Sequence, residues 1–158
     1  MGSFDLLNEW EISISDSLGK YELGVGSDKF EEIAELKPTF SFDYISLDHK
    51  TFGFTGRLLG LKDYKKLLKA LKKISKLPYK TLNQEYQYHF HDIKWKDVDL
   101  SKSDFYKCIY EDKYNGEDDI TPYQFKVYEE ARVIGFVYRG VFYLVMFDRG
   151  HNAYKRKK

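Results

Sequence analysis

The sequence ARVIGFVYRGVFYLVMF, residues 131–147, contains two apolar runs separated by the dipeptide Arg139-Gly140. Runs rich in Val, Ile, Phe and Tyr favour β-strands, and a glycine in a two-residue connection favours a hairpin turn. We therefore predict a C-terminal β-hairpin with strands at 131–138 and 141–147. The second run is almost wholly apolar, which is typical of a central strand.

Upstream of the hairpin, residues 61–77 have the strongest helical pattern in the chain. Apolar residues recur there at steps of three and four and form one stripe: Leu61, Tyr64, Leu67, Leu68, Leu71 and Ile74. Lysines fill the remaining positions, and Pro78 marks the end. This pattern predicts a long amphipathic helix at about 61–77 that packs its apolar stripe on the sheet.

Other segments alternate apolar and polar residues with period two, which predicts antiparallel strands. These strands are expected at 10–14, 21–25, 86–91 and 123–127, with a further hairpin over 40–54. Short helices are expected at 28–36 and 100–111, the second capped by Ser101. The sequence thus predicts an α+β fold: an antiparallel sheet, one long helix packed on it, and a C-terminal hairpin.

Length and composition fit one domain over residues 1–158, with 42% hydrophobic and 32% charged side chains. The net charge of +1 hides an uneven distribution, because residues 1–56 contain 11 acids and four bases, whereas residues 57–80 contain nine bases and one acid. We expect a β-rich acidic part at 1–56, followed by the helix and sheet at 57–158. No apolar run suits a membrane helix, no signal peptide is recognisable, and Cys108 has no cysteine partner. A cytoplasmic protein without membrane attachment is expected.

The lysine face of the helix is one candidate for function. Its seven ammonium groups belong to Lys62, Lys65, Lys66, Lys69, Lys72, Lys73 and Lys76. Cations on one surface attract the phosphates of nucleic acids, and such contacts supply most non-specific affinity. A solvated helix face made of good helix formers is the alternative interpretation.

A second candidate lies at the end of the C-terminal hairpin. Its polar residues are Arg132, Arg139, Asp148, Arg149, His151, Tyr154 and Lys155. The start of one hairpin strand lies beside the end of its partner, so we expect Arg132 to lie near residues 148–154. A histidine for proton transfer, an arginine for phosphate charge and a tyrosine for positioning suit RNA cleavage. Alternatively, residues 148–151 form only a polar turn.

His89 and His91 alternate along the predicted strand at 86–91, so their imidazoles are expected on one side. Structural, acid–base and metal-binding roles all remain open for this pair. No recognised metal motif surrounds them, and neither a GxxxxGK[ST] nor a GxGxxG loop occurs in the chain. We therefore expect neither a metal nor a cofactor.

Two stretches resemble small uncharacterised bacterial and phage proteins: Pro38–Tyr44 with the helix segment LLKALKKIS (67–75), and the ending built from 132–136 and 141–151. The order of helix, strand and C-terminal hairpin with a basic, aromatic end also resembles the RelE-like toxin superfamily of mRNA endonucleases. That resemblance implies a site at the last strands, where Arg132, His151 and Tyr154 are the matching positions.

We therefore expect an RNA-binding, RelE-like protein that acts as a metal-independent endoribonuclease of the toxin–antitoxin type. Its catalytic residues would be His151, Arg132 and Tyr154. The helix lysines, Arg139, Arg149 and Lys155 would bind nucleic acid, with RNA or the ribosome and a cognate antitoxin as partners. The alternative is a non-enzymatic phage or mobile-element accessory protein that binds a host protein through the acidic first third.

Overall fold

The computed structural model describes residues 30–111 and 120–155. Within them, one sheet contains β1 (Thr39–Ser41), β2 (His91–Asp92), β3 (Tyr123–Tyr128), β4 (Ala131–Tyr138) and β5 (Val141–Asp148). The α-helices are α1 (Phe30–Ile33), α2 (Leu61–Ile74), α3 (Tyr79–Gln84) and α4 (Lys102–Tyr110), and 3-10 turns lie at Tyr86–Tyr88 and Trp95–Asp97. The predicted α+β class is confirmed.

The sheet is mixed, with the strand order β1-β5-β4-β3-β2. The pairs β2–β3, β3–β4 and β4–β5 are antiparallel. Strand β1 runs parallel to β5, with Thr39 opposite Val141. The predicted antiparallel sheet is therefore not confirmed as such, because β1 adds a parallel pair. Phe40 explains the placement, because its ring packs 6.3 Å from both Phe125 and Phe142 in the core.

Helices cover both faces of this sheet. On one face, Leu67, Leu71 and Ile74 of α2 join the apolar cluster that includes Phe125 and Phe142. On the other face, α4 contributes Phe105, Tyr106 and Ile109 to a cluster with Ile134, Phe136 and Met146. Residues 131–137 are all buried, because neighbouring structure covers both sides of β4.

Helix α2 ends at Ile74, three residues before the predicted limit. The backbone N–H groups of Lys76 and Leu77 bond to carbonyls three residues back, so the chain tightens into turns ahead of Pro78. Its buried stripe is also narrower than predicted. Leu67, Leu71 and Ile74 are buried, whereas the side chains of Leu61 and Leu68 are 83% and 65% exposed. The predicted apolar stripe therefore splits into a buried part and an exposed part.

Two predicted elements, the strand at 86–91 and the hairpin over 40–54, do not form as expected. The 86–91 segment forms a 3-10 turn, and His89 then takes a left-handed conformation with φ 45°, so only His91–Asp92 is a strand. The 40–54 segment is not a regular hairpin, because Ser46 and Phe52 hydrogen-bond to the backbone of β5. Burial of Phe90 and Phe52 fixes these irregular paths.

Helix α4 begins as expected, since the Ser101 hydroxyl accepts a 3.2 Å hydrogen bond from the Asp104 backbone N–H. The predicted strands at 10–14 and 21–25 lie outside the described residues, so the β-rich acidic first part stays a prediction. Within residues 30–111 and 120–155, no helix has the length and apolar character needed to cross a bilayer.

Candidate active site at one end of the sheet

The register of the last three strands brings basic and acidic residues together at one end of the sheet. Lys126 on β3 lies opposite Arg132 on β4, which in turn lies opposite Asp148 on β5. A cavity of about 510 Å³ opens there. Its lining consists of Tyr86, His89, His91, Gln124, Lys126, Glu129, Glu130, Arg132, His151 and Tyr154. We call it the His151 cavity.

The carboxylate of Asp148 shapes the segment that carries His151 and Tyr154. This side chain is only 2% exposed, and its two oxygens accept 2.8 Å hydrogen bonds from the backbone N–H groups of Asn152 and Ala153. Tyr154 is then fixed by a β-bridge to Val98. The expected polar turn therefore exists, and it holds two of the predicted catalytic residues against the cavity.

Three buried polar atoms of the His151 cavity have no hydrogen-bond partner in the part of the chain that the structure describes. They are Nε of Arg132, Nδ1 of His151 and the hydroxyl of Tyr154. Buried polar groups are normally paired, and each unpaired group costs about 1–3 kcal/mol. All three residues line the same cavity.

Backbone carbonyls hold the side chain of Arg132 in place. The side chain is 6% exposed, and its Nη1 donates to the backbone carbonyls of Glu129 and Ala131 at 2.7 and 3.1 Å. Burial lowers the pKa of Arg132, while Glu130 and Asp148 raise it. An arginine keeps its proton throughout the physiological range, so a fixed cation faces the cavity.

The ring of Tyr154 stacks on that of His151, with centroids 5.2 Å apart and planes 18° apart. Burial raises the pKa of Tyr154 to about 12, with Asp92 and Asp97 adding to the effect. The phenol is therefore protonated near neutral pH. It can donate a hydrogen bond to an anion or to a ribose hydroxyl.

Two further histidines, His89 and His91, line the same cavity. Nδ1 of His91 donates to the Asp92 carbonyl at 2.8 Å, which leaves Nε2 to accept from the Gln124 amide at 2.9 Å. Burial lowers the pKa of His89, and the nearby charges of Arg132 and Lys126 lower it further. A neutral His89 is therefore available to accept a proton.

Among residues 30–111 and 120–155, no group of three His, Cys, Asp or Glu residues is placed to hold a metal ion. Besides the carboxylates of Glu129 and Glu130, the His151 cavity gathers an arginine, a lysine and three imidazoles. This donor set suits an anion.

The other predicted nucleic-acid contacts are distributed over the surface. The six lysines of α2 and Lys76 just after it are all exposed. Lys66 and Lys73 lie over the rings of Tyr128 and Tyr88. Lys155 directly follows Tyr154. Arg139 lies in the β4–β5 turn, seven residues from Arg132 and thus about 23 Å along the strand, so the structure separates it from the cavity.

Sequence reasoning did not identify Lys126 and Gln124 as cavity residues. Both lie at alternate positions of β3, on the same face as Arg132 in the neighbouring strand. The period-two pattern of the strand at 123–127 could have placed them together. Only the pairing register with β4 assigns them to this end of the sheet.

Arg149 lies beside the cavity and is held by a buried carboxylate. Its Nε donates to Oδ1 of Asp63 at 3.3 Å, while Oδ2 of Asp63 accepts a 2.8 Å bond from the Gly60 N–H. The Tyr128 hydroxyl also donates to Asp63. This network joins the start of α2 to the segment after β5.

Substituting Asp63 by asparagine should destabilise the protein at pH 7 and have less effect in acid. Burial raises the pKa of Asp63, but the bonds from Tyr128, Gly60 and Arg149 together hold it below its ordinary value. The stabilisation by this carboxylate is therefore full above about pH 4 and is lost as the pH falls through the folded-state pKa.

Urea unfolding of both proteins between pH 2 and pH 7 measures this difference. Asp43→Asn, at an exposed residue, serves as the control. If the difference in free energy of unfolding between wild type and Asp63→Asn were the same at every pH in this range, Asp63 would not be an ionised, hydrogen-bonded carboxylate.

Together, the fold and the cavity define an α+β protein with a buried arginine and a histidine–tyrosine pair at one end of a mixed sheet. Comparison with protein-family models, with curated proteins and with solved structures finds no match to this chain.

Proposed function

We propose that this protein binds single-stranded RNA and cleaves it without a metal ion, with the reaction taking place in the His151 cavity. The observation that carries the proposal is that Arg132, His151 and Tyr154 line one cavity, and that each has a buried polar atom without a hydrogen-bond partner among the described residues. A phosphodiester offers oxygen acceptors for the guanidinium and phenol, and its ribose offers a hydroxyl for an imidazole.

In the proposed reaction, the 2′-oxygen attacks the adjacent phosphorus and the bond from phosphorus to the 5′-oxygen breaks. One imidazole takes the proton of the 2′-hydroxyl, and a second returns a proton to the departing 5′-oxygen. The products are a 2′,3′-cyclic phosphate and a 5′-hydroxyl. His151 transfers one of these protons, and the lowered pKa of His89 suits it to act as the base.

Arg132 stabilises the charge that builds up on the phosphate oxygens. Its guanidinium is already fixed by two backbone carbonyls, so little reorganisation is needed during the reaction. Tyr154 remains protonated and positions the phosphate or the ribose by a hydrogen bond. The lysines of α2 contact the RNA backbone beyond the cavity.

The RelE-like relationship and its biological setting belong to the same proposal. An amphipathic helix against antiparallel strands β3 to β5, with a basic and aromatic end, supports the comparison. A cytoplasmic toxin of this type would act on mRNA, either free or on the ribosome. A cognate antitoxin with acidic residues would neutralise its cationic surface.

The second candidate function is that of an accessory protein that binds a host protein. The exposed apolar side chains of Leu61, Tyr64 and Leu68 on α2 favour it, because they form a row on the helix surface. The salt dependence of binding distinguishes the two candidate functions. RNA binding should weaken steeply with salt, whereas docking through apolar side chains should not.

An induced-expression experiment tests the leading proposal. Cells that express wild-type protein should stop growing and their RNA should be fragmented, whereas Arg132→Lys should largely abolish both effects because lysine cannot reproduce the fixed guanidinium geometry. The matched control is Arg139→Lys, at the opposite end of the hairpin, which should behave as wild type. Thermal unfolding checks that both variants fold.

Intact RNA and normal growth with folded wild-type protein would favour the accessory-protein function. Toxicity that survives both Arg132→Lys and His151→Ala would exclude the His151 cavity as the reaction site.

A further inference from the structure

A second cavity, of about 580 Å³, adjoins the His151 cavity. Both are lined by Glu129 and Glu130 of the β3–β4 turn. The segment after β5 also contributes to both, since Arg149, Gly150 and Asn152 line the second cavity and His151 and Tyr154 line the first. The two cavities therefore share one wall at the same end of the sheet. We call the second one the Arg57 cavity.

Three cations line the Arg57 cavity: Lys50, Arg57 and Arg149. In the described part of the chain, no carboxylate lies within 4.0 Å of the Lys50 or Arg57 side-chain nitrogens. Arg149 binds Asp63 through Nε, yet its side chain is 60% exposed, so its terminal nitrogens remain accessible. This geometry leaves both Arg57 and Arg149 able to bind phosphate oxygens.

The Arg57 cavity shares a wall with the His151 cavity and also reaches the first half of α2. Tyr128 lines it, and the ring of Tyr128 contacts Lys66 of α2 at 4.2 Å. The Asp63–Arg149 contact fixes the start of α2 to the same wall. An RNA strand that leaves the His151 cavity over this wall would come close to Lys66.

We propose that the Arg57 cavity binds the phosphate next to the one that is cleaved, and that the preferred substrate is single-stranded RNA of at least three nucleotides. This inference rests on the proposed function. Two adjacent phosphates require three nucleosides, so a dinucleotide fills only the His151 cavity. Glu129 and Glu130 in the shared wall repel phosphate oxygens and so keep the two phosphates in separate sites.

Binding of non-cleavable 2′-O-methyl oligonucleotides tests this inference. Fluorescence anisotropy at low salt would compare a labelled dinucleotide with trinucleotides extended at the 5′ or the 3′ end. For wild type, one of the trinucleotides should bind about tenfold more tightly than the dinucleotide, as expected for one additional charge-assisted phosphate contact.

Arg57→Ala should bind the trinucleotide at most about twofold more tightly than the dinucleotide. Arg57→Glu should bind the two oligonucleotides equally. Arg57 is exposed, so both variants are expected to fold. Arg139→Ala, which removes an exposed arginine at the far end of the hairpin, should keep the full gain.

A gain that is absent in wild type, or unchanged in both Arg57 variants, would overturn the second phosphate site. The proposed function would still stand if dinucleotide binding were lost in Arg132→Lys. Failure of wild type to bind any of these oligonucleotides would overturn both proposals.

Discussion

Replacing His151 by asparagine should lower the rate of RNA cleavage by about 100- to 10,000-fold, the range for removal of a general acid or base. His151 has a left-handed backbone conformation with φ 56°, and asparagine adopts this conformation more readily than most residues. The substitution therefore keeps the turn and a polar side chain but removes the proton-transfer group. RNA affinity should change only a few-fold, because Arg132 and the lysines remain.

Single-turnover cleavage of a labelled RNA by the purified proteins measures this effect, and anisotropy with 2′-O-methyl RNA measures affinity. Arg139→Asn serves as a control, since Arg139 also has a positive φ, of 50°, but lies in the distant β4–β5 turn. If His151→Asn cleaved RNA at a rate near that of wild type, proton transfer by His151 would be excluded.

Replacing Gly135 by alanine should destabilise the protein by about 3 kcal/mol. Gly135 lies in β4 where the register with β5 shifts. A methyl group there would overlap the backbone carbonyl oxygen of Tyr143 and approach Cε1 of Phe142 to 2.8 Å. Because backbone in the centre of a sheet cannot easily move aside, the clash must displace a strand.

Thermal unfolding measures this cost, and a loss of 3 kcal/mol corresponds to a fall in Tm of about 6–12 °C for a chain of this size. Gly56→Ala is the matched control, since no atom lies within 4 Å of the added methyl group and the Tm should hardly change. Equal Tm values for the two variants would mean that β4 and β5 do not pack as closely as this register requires.

Local patterns were sufficient to predict elements with strong periodicity. The hairpin of β4 and β5 has the predicted turn at Arg139-Gly140, and α4 begins at the predicted Ser101 cap. The short alternating segments 86–91 and 40–54 were predicted less well, because their path depends on distant residues. Phe40 joins β1 to β5 through contacts across about 100 residues, and no alternation in residues 38–44 encodes a parallel partner.

The candidate site was predictable where it depended on the hairpin. Antiparallel pairing alone places Arg132 near Asp148, and the structure brings His151 and Tyr154 to the same place. The same argument wrongly grouped Arg139 with them, although it lies at the opposite end of β4. The approach of His89 and His91 depends on the 3-10 turn at Tyr86–Tyr88, which the period-two alternation of residues 86–91 did not predict.

The parallel pairing of β1 with β5 also bears on how the chain folds during synthesis. Thr39 cannot pair with β5 until Val141 has been synthesised. Ribosomes add about 5–20 residues per second, so the delay is of order 5–20 seconds. Pairings between such distant residues also slow folding, because a long loop has to close first. The His151 cavity draws on residues 86 to 154 and cannot assemble earlier. The His151 cavity of a nascent chain would therefore stay incomplete until translation had passed the C-terminal hairpin.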